Sequence, residues 1–393
     1  MSPTAPDTAP HGHIPGTRRP HLPTATVPRH ALRRAAPALA AYLAVRLTGL
    51  LVLTVWAHRR HHGVWPMLAT QWDSRWYLGI ADHGYVHVLG TAYDHNNLAF
   101  FPLYPLLVKA VAALTPGTRA STGLVLSWLA SLFAAWGVFA VGDRLAGRRV
   151  GVLLTVLWAA YPVGLVQWMG YTESLFTAFA AWTLYAVLTE RWLYAAAGSV
   201  LAGLTRPTGI AVAAAVTVTA LLSLRTRSPR ALTAALLAPL GWCAYVGWVG
   251  VRLHRWDGYF AVQRMWHNEL DGGAETLRWL RHLFGQVSRP ELFLVVVSLT
   301  MLASVVLFGL AAADRQPLPL LVFSAVLLLI VAASGGVYFP RARFLLPGFP
   351  LLLPLAGYLA RASTRVRVLA LTAAIAGSAY CGAYMLLVWP SAP

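Results

Sequence analysis

The sequence predicts an all-α protein that crosses a membrane many times. Of its 393 residues, 58% are hydrophobic and only 11% are charged, whereas soluble domains carry about a quarter charged residues. Apolar stretches long enough to cross about 30 Å of hydrocarbon recur from residue 36 to residue 389. These observations exclude a water-soluble globule and indicate a single transmembrane domain over residues 35–393.

The basic character of the chain fits the orientation of a membrane protein. Its formal net charge of +18 arises from 31 Lys and Arg against 13 Asp and Glu, with Lys109 as the single lysine. Much of this charge lies in short clusters between apolar stretches, as the positive-inside rule describes for cytoplasmic loops. The sequence offers neither a recognition motif nor a solvated basic face, so no nucleic acid partner is predicted.

The distribution of arginine predicts the topology. Residues 1–34 are rich in Pro, Thr, His and Arg without apolar periodicity, and we expect a disordered cytoplasmic tail. After a first span at about 36–57, residues 58–120 form the first external loop. Within this loop the stretch 99–115 is interrupted by prolines, and we interpret it as an interfacial helix rather than a crossing.

About eleven crossings are predicted in total, with the C-terminus outside. A break at Arg206 and Pro207 divides the run 192–224 into two short crossings, because proline interrupts the helical hydrogen-bond ladder. The other crossings after the first loop are expected at about 121–142, 149–169, 172–189, 230–253, 291–313, 317–334, 344–360 and 367–389. No internal repeat of the kind found in many transporters is evident.

One segment of the first external loop combines aromatic side chains with a carboxylate. On a helix, Trp72, Trp76 and Ile80 would share one face. Asp73 and Tyr77 would share another. Aromatic residues alone suit an interfacial anchor, but an anchor gains nothing from a carboxylate flanked by two tryptophans. Asp73 is therefore the candidate general base for a sugar hydroxyl.

Three arginines are further candidate site residues. Arg341 and Arg343 lie at the external start of a span, against the positive-inside bias, and guanidinium groups bind phosphate in a bidentate manner. The alternative is that both simply reach lipid headgroups. Arg206 lies at the break in the run 192–224, where it either lines a cavity or accompanies a capped kink.

The histidines do not indicate another class of enzyme. His58, His61 and His62 cluster together, but no carboxylate or cysteine completes a recognisable ligand set, and we predict no metal. His83 and His95 could serve a membrane acyltransferase, yet no partner pattern accompanies them. The main alternative is a transporter or lipid flippase, which would place charges near the membrane midplane rather than in external loops.

Several sequence blocks resemble the PIG-V-type GPI mannosyltransferases and their bacterial relatives. Residues 72–85 and 99–105 resemble the first luminal loop of that family. Residues 170–176 and 203–209 resemble two further blocks in the same order. The segment 341–347 is similar to a looser pattern shared by many GT-C glycosyltransferases.

The resemblance implies a GT-C-type fold, with juxtamembrane helices in the first external loop and an early catalytic carboxylate that maps onto Asp73. It also implies inverting mannosyl transfer from polyprenyl-phosphate-mannose, without cofactor or metal, on the extracytoplasmic side of the plasma membrane. The acceptor does not carry over, and a glycan, a glycolipid or a protein is each open. The candidate substrate-binding residues are Trp72, Arg75, Tyr77, Asp82, His83, Glu173, Arg206, Arg341 and Arg343.

Overall fold

The computed structural model describes residues 28–90, 96–223 and 228–392, and these residues form α-helices joined by short connections. The helices are, in chain order, α1 (Pro28–Arg59), α2 (Val64–Ala69), α3 (Asp73–His83), α4 (Leu103–Ala112), α5 (Arg119–Ala146), α6 (Arg148–Ala159), α7 (Glu173–Leu188), α8 (Trp192–Gly203), α9 (Gly209–Ser223), α10 (Pro229–Leu237), α11 (Leu240–Arg252), α12 (Gly258–Met265), α13 (Ala274–Gly285), α14 (Leu292–Ala313), α15 (Leu318–Ala333), α16 (Arg341–Phe344), α17 (Leu353–Arg361) and α18 (Thr364–Leu387). Short 3-10 helices occupy Asn97–Ala99, Gly164–Trp168 and Phe349–Leu352. Within the described ranges no β-strand is formed, and Leu270 and Ser334 share an isolated antiparallel bridge.

The described helices include several that can cross a membrane. Large apolar side chains remain exposed along α1 and α14, for example Leu51 and Val306, as expected of surfaces that face lipid tails. Helices shorter than a full span, such as α7 and α9, accompany the long ones. The chain is an all-helical, multi-pass membrane protein. Among the described residues, five helical segments are long and apolar enough to span: Ala31–Arg59, Arg119–Ala146, Pro229–Arg252, Leu292–Ala313 and Thr364–Leu387, of which Pro229–Arg252 consists of α10 and α11 with a short interruption between them.

Helix α5 lies at the centre of the packing, against α6 on one side of its surface and against α7 on another. α7 also packs on α8, and α9 packs on α15. The turn between α5 and α6 is tight because two glycines face each other. A Cβ on Gly142 would lie 2.8 Å from the Cα of Gly151, so a larger residue would push the two helices apart.

The predicted break at Arg206 and Pro207 is confirmed. α8 ends at Gly203 and α9 begins at Gly209. A Cβ on Gly209 would lie 2.6 Å from the carbonyl oxygen of Ala202, so only glycine fits where the two helices meet. The turn leaves the Arg206 side chain inside the protein rather than at its surface.

Three predicted spans are not continuous helices. The run 149–169 is α-helical only to Ala159 and then passes through a buried turn into the 3-10 helix Gly164–Trp168. The run 230–253 is divided between α10 and α11, and the run 344–360 becomes a regular helix only in α17. Proline lacks the N–H that a helix interior requires and clashes with the preceding turn. The prolines at these three interruptions are Pro162, Pro239 and Pro347.

The segment predicted to be the first external loop folds into the helices α2, α3 and α4. Helix α4, within the stretch 99–115 that we predicted to be interfacial, has 10 residues and is therefore about 15 Å long, half the thickness of the hydrocarbon. Asp94 and His95 lie outside the described residues. The predicted tail, residues 1–34, also lies outside them up to residue 27, and its last part, 28–34, belongs to α1.

Candidate active site

The N-terminal end of α3 carries the candidate base. Asp73 is the first residue of this helix, and 19% of its side chain is exposed. The preceding residue, Trp72, has φ of 50° and ψ of −118°, a combination that is strained for a bulky side chain. The chain turns sharply at this residue, and Asp73 faces an internal cavity.

Two hydrogen bonds fix α3 against the start of α7. Ser74 Oγ donates to the carbonyl oxygen of Gly170 at 3.1 Å, and the hydroxyl oxygens of Tyr77 and Thr172 lie 3.0 Å apart. Tyr77 and Asp73 face the same cavity, as their i, i+4 spacing predicts. These bonds hold the Asp73 carboxylate in a defined position relative to the first residue of α7.

Arg343 joins two carboxylates that are far apart in sequence. One Nη atom lies 2.8 Å from Asp73, and Nε lies 3.2 Å from Glu173. Arg206 also contacts Glu173, at 2.6 Å, and donates to the hydroxyl of Thr172 at 3.0 Å. Glu173 and Arg343 are almost completely buried. Two acids and two guanidinium groups thus neutralise one another inside the protein, which is the condition under which buried charges are tolerated.

The surroundings of Arg343 keep its guanidinium charged and in place. Burial acts to lower the pKa of this group, but the charges of Asp73 and Glu173 act more strongly in the opposite direction, so the pKa is raised above its ordinary value. The guanidinium carbon lies 5.1 Å from the ring centroid of Tyr171 and 5.2 Å from that of Phe344. Contacts of this kind fix the orientation of the group.

Replacing Glu173 with glutamine is expected to destabilise the protein by about 3–5 kcal/mol, because Arg206 and Arg343 would lose a shared counter-charge in the interior. The apparent melting temperature of the purified protein in detergent, followed by tryptophan fluorescence, measures this change. The double variant Glu173→Gln/Arg206→Gln should recover part of the loss, since it removes one of the stranded charges. Wild-type stability of the single variant would contradict the ion-pair network.

A cavity of about 310 Å³ lies beside this network of charged residues. Asp73, Arg206 and Arg343 line it directly, together with the amide side chains of Gln263 and Asn268. Nη1 of Arg343 is buried and has no hydrogen-bond partner among the described residues. The cavity therefore combines a carboxylate, two cations and an unused donor inside an aromatic enclosure. Its aromatic lining comprises Tyr77, Phe100, Phe101, Trp266, Phe339 and Phe344.

Trp72, Arg75 and His83 lie at a different pocket. This second pocket, of about 640 Å³, follows the other exposed face of α3. Nε of Arg75 donates to the carbonyl oxygen of Thr70 at 3.2 Å. The helix thus divides the predicted substrate-binding residues of the segment 72–83, and of these only Tyr77 shares the cavity with Asp73.

Asp82 and Arg341 belong to neither pocket. Asp82 forms an ion pair with Arg119 at the surface of the loop. Arg341 is buried and donates to the hydroxyl of Thr276 in α13 and to the carbonyl oxygen of Ser334. Arg341 therefore connects α13 to the segment after α15, whereas Arg343 lines the cavity.

Some residues of the site were not among the sequence-based candidates. Thr172 connects Tyr77 to Arg206 through its hydroxyl, and its place directly before Glu173 was the available signal. Gln263 carried no such signal, and the sequence-based candidates included no residue between Arg206 and Arg341. Among residues 28–90, 96–223 and 228–392, no three His, Cys, Asp or Glu side chains group as a metal site would require.

The architecture and the arrangement of the loop helices define a class. A multi-pass helical membrane protein whose first large loop folds into short helices beside a charged cavity has a GT-C-type fold. The juxtamembrane helices that this class implies are present as α2, α3 and α4.

A solved structure places the chain within this class by its fold. The protein is similar to ArnT from Cupriavidus metallidurans, whose crystal structure contains bound undecaprenyl phosphate, with a TM-score of 0.53 and 16% sequence identity. The similarity covers 82% of this chain and 60% of the ArnT chain, so the protein corresponds to somewhat less than two thirds of ArnT. No protein-family model and no curated protein sequence matches the chain.

Proposed function

We propose that this protein is a membrane glycosyltransferase that takes a sugar from a polyprenyl-phosphate carrier and transfers it with inversion to an extracytoplasmic acceptor. The observation that carries the proposal is the single cavity in which Asp73 lies 2.8 Å from Arg343. A general base and a cation for a leaving phosphate are the two groups that such a reaction requires. The crystal structure of ArnT with undecaprenyl phosphate supports a carrier of this kind.

The phosphate of the donor would bind to Arg343. Its free Nη1 can donate to one phosphate oxygen, and the Nη group now held by Asp73 can donate to a second, in the bidentate manner of guanidinium groups. Arg206 adds a second positive charge to the cavity wall. The leaving polyprenyl phosphate carries less negative charge than a diphosphate would, so these two cations can stabilise it without a metal.

The Asp73 carboxylate would act on the acceptor. When phosphate oxygens take over the donors of Arg343, the Asp73 carboxylate is released from its ion pair and can accept a hydrogen bond from the acceptor hydroxyl. It removes the proton from the acceptor hydroxyl while that oxygen attacks the anomeric carbon. The bond between the anomeric carbon and the phosphate oxygen breaks, and its electron pair leaves with the polyprenyl phosphate. Attack opposite the leaving phosphate inverts the anomeric centre.

An apolar groove beside the cavity suits the isoprenoid chain. The groove has a volume of about 430 Å³ and lies between α6, α14, α17 and α18. Phe344 lines the charged cavity, and the next residue, Leu345, lines the groove. A lipid whose phosphate meets Arg343 therefore has an apolar surface available for its first isoprene units.

The finer assignment to polyprenyl-phosphate-mannose and to the outer face of the plasma membrane rests on the sequence. The resemblance to PIG-V-type enzymes supports mannose as the sugar. The positive-inside distribution of arginine supports an external position for the loop that contains α3. On this proposal the natural acceptor is a component of the cell envelope.

The proposal is tested with purified protein in lipid nanodiscs, polyprenyl-phosphate donors labelled in the sugar, and an extract of cell-envelope material as the source of acceptor hydroxyl groups. We expect release of polyprenyl phosphate with undecaprenyl-phosphate-mannose and much slower release with the matched glucose donor. Faster release from the glucose donor would support the proposed reaction but would show that the transferred sugar is glucose rather than mannose. Movement of an intact donor between leaflets of a vesicle, without cleavage, would instead identify a flippase and overturn the proposal.

A further inference from the structure

The second pocket is built on a single stripe of α3. Trp72, Trp76, Gly79 and His83 follow one another at intervals of four, three and four residues, so they lie on one side of the helix. All four line the pocket of about 640 Å³. None of these residues faces the cavity that contains Asp73. The pocket is therefore a separate surface that begins one residue before the candidate base.

Trp76 forms part of the wall between the pocket and the cavity. Its ring stacks on Phe100 with centroids 5.4 Å apart and an interplanar angle of 16°, and its edge meets Trp266 at 5.4 Å. Phe100 and Trp266 both line the cavity. A layer of aromatic rings thus separates the two spaces and holds the Trp76 ring rigidly at the pocket surface.

The described residues give Gly79 no steric reason to be glycine. None of their atoms lies within 4 Å of a Cβ built at this position, and its φ is not positive. Glycine in the interior of a helix is destabilising relative to alanine. Its effect here is to leave the middle of the stripe bare, between the ring of Trp76 and the imidazole of His83. A glycine that lowers the stability of the helix but leaves open space at the pocket suggests that a molecule binds there.

The chemistry of the pocket favours a sugar ring. Flat indole faces at Trp72 and Trp76 offer apolar surface to the C–H face of a pyranose. Arg75 and His83 are exposed at its edge and can bond to hydroxyl groups. Among the described residues, the lining includes the polar side chains of Arg75, His83 and Asn97, which a lipid tail would leave without partners, and it includes no carboxylate for a basic peptide.

We infer that this pocket binds the acceptor and that the acceptor is a glycan, an inference that rests on the proposed function. A sugar ring stacked on Trp72 would have its neighbouring hydroxyl close to Asp73, the next residue of the chain. On this inference the acceptor lies along the Trp72 to His83 side of α3, and its reacting hydroxyl reaches the Asp73 carboxylate around the N-terminal end of the helix, beyond the aromatic layer at Trp76. The strained backbone at Trp72 sets the relative direction of the two side chains.

The test uses octyl glycosides as acceptor probes, with a panel of mannoside, glucoside and galactoside. Gly79→Leu fills the pocket with a side chain and should raise KM for the best glycoside about tenfold, the equivalent of 1.4 kcal/mol. KM for the polyprenyl-phosphate donor should change less than twofold. Gly79→Ala should act in the same direction more weakly while raising the apparent melting temperature. Gly309→Leu, at another helical glycine with open space around it, is the matched control.

The outcomes separate the two proposals. If the wild-type protein releases polyprenyl phosphate, but only a Ser/Thr-containing peptide accepts the sugar and Gly79→Leu leaves that transfer unchanged, the glycan pocket is wrong and the glycosyltransferase remains. Equal KM values for the glycoside in Gly79→Leu and Gly309→Leu would also overturn it. If the wild-type protein releases no polyprenyl phosphate from any donor, with or without glycoside, the proposed function itself fails.

Discussion

Asp73→Asn is expected to lower the rate of sugar transfer by about 10²–10⁴-fold, the range that a positioned general base contributes. The substitution keeps the size of the side chain and removes its ability to take a proton from the acceptor. Its partner Arg343 retains Glu173 as a counter-charge at 3.2 Å. The protein should therefore fold, and the loss should appear in kcat at saturating donor. Single-turnover transfer of labelled mannose in nanodiscs measures it.

The matched control for this variant is Asp314→Asn, at an exposed aspartate beyond the end of α14. It makes the same change of atoms and charge far from the cavity and should transfer at the wild-type rate. Equal rates for Asp73→Asn and Asp314→Asn would show that Asp73 is not the base. Retention of donor binding by Asp73→Asn, measured as thermal stabilisation by undecaprenyl phosphate, would separate loss of the base from loss of the site.

Arg343→Met should lower kcat/KM by about 10²–10³-fold, because the leaving phosphate loses a preorganised cation that is worth most when its charge develops. The substitution also leaves Glu173 with Arg206 alone, so stability is expected to fall. Activity is therefore compared per folded protein, after size-exclusion chromatography. Arg343→Lys should recover stability more than activity, since an ammonium group keeps the charge but cannot replace the planar, bidentate contact.

Arg365→Met provides the control, at an exposed arginine in the first turn of α18. It removes the same side chain without touching the cavity and should change kcat/KM by less than about twofold. Wild-type kcat/KM in Arg343→Met would exclude Arg343 as the phosphate ligand. If Arg343→Met yields no folded protein, Arg343→Lys is measured instead. Full activity of Arg343→Lys would contradict bidentate binding of the phosphate.

The fold class followed from composition, but the continuity of the spans did not. Long apolar runs predicted α1, α5, α14 and α18 well because hydrophobicity over about twenty residues is a strong signal. Hydrophobicity predicted a continuous helix less well where a proline lay inside an apolar run. The prediction used the proline at residue 207 and found that break, yet it treated the run 149–169 as uniform although Pro162 lies within it. Residues buried in protein are as apolar as residues that face lipid, so hydropathy alone does not distinguish a span from a buried turn.

The candidate site was predicted in its residues more than in its geometry. Asp73, Glu173, Arg206 and Arg343 were all singled out, and the structure brings them into one network. Arg341 was paired with Arg343 as a phosphate clamp. Both lie in one turn of helix, where residues two apart point in nearly opposite directions. Their separation depends on the tertiary partners of that turn, which sequence spacing does not reveal.

The buried side chain of Arg46 in α1 contacts residues that lie much later in the chain. Arg46 donates to the carbonyl oxygen of Ala159 and lies 3.4 Å from the hydroxyl of Ser378, 332 residues later. A guanidinium in a membrane-spanning helix is costly until it finds such partners. During synthesis α1 therefore enters the bilayer with a charge whose last partner is made only when α18 emerges. Helix α1 therefore reaches its final environment only after α18 has been synthesised, so the packing that Arg46 makes with α18 is a late step in the assembly of this membrane domain.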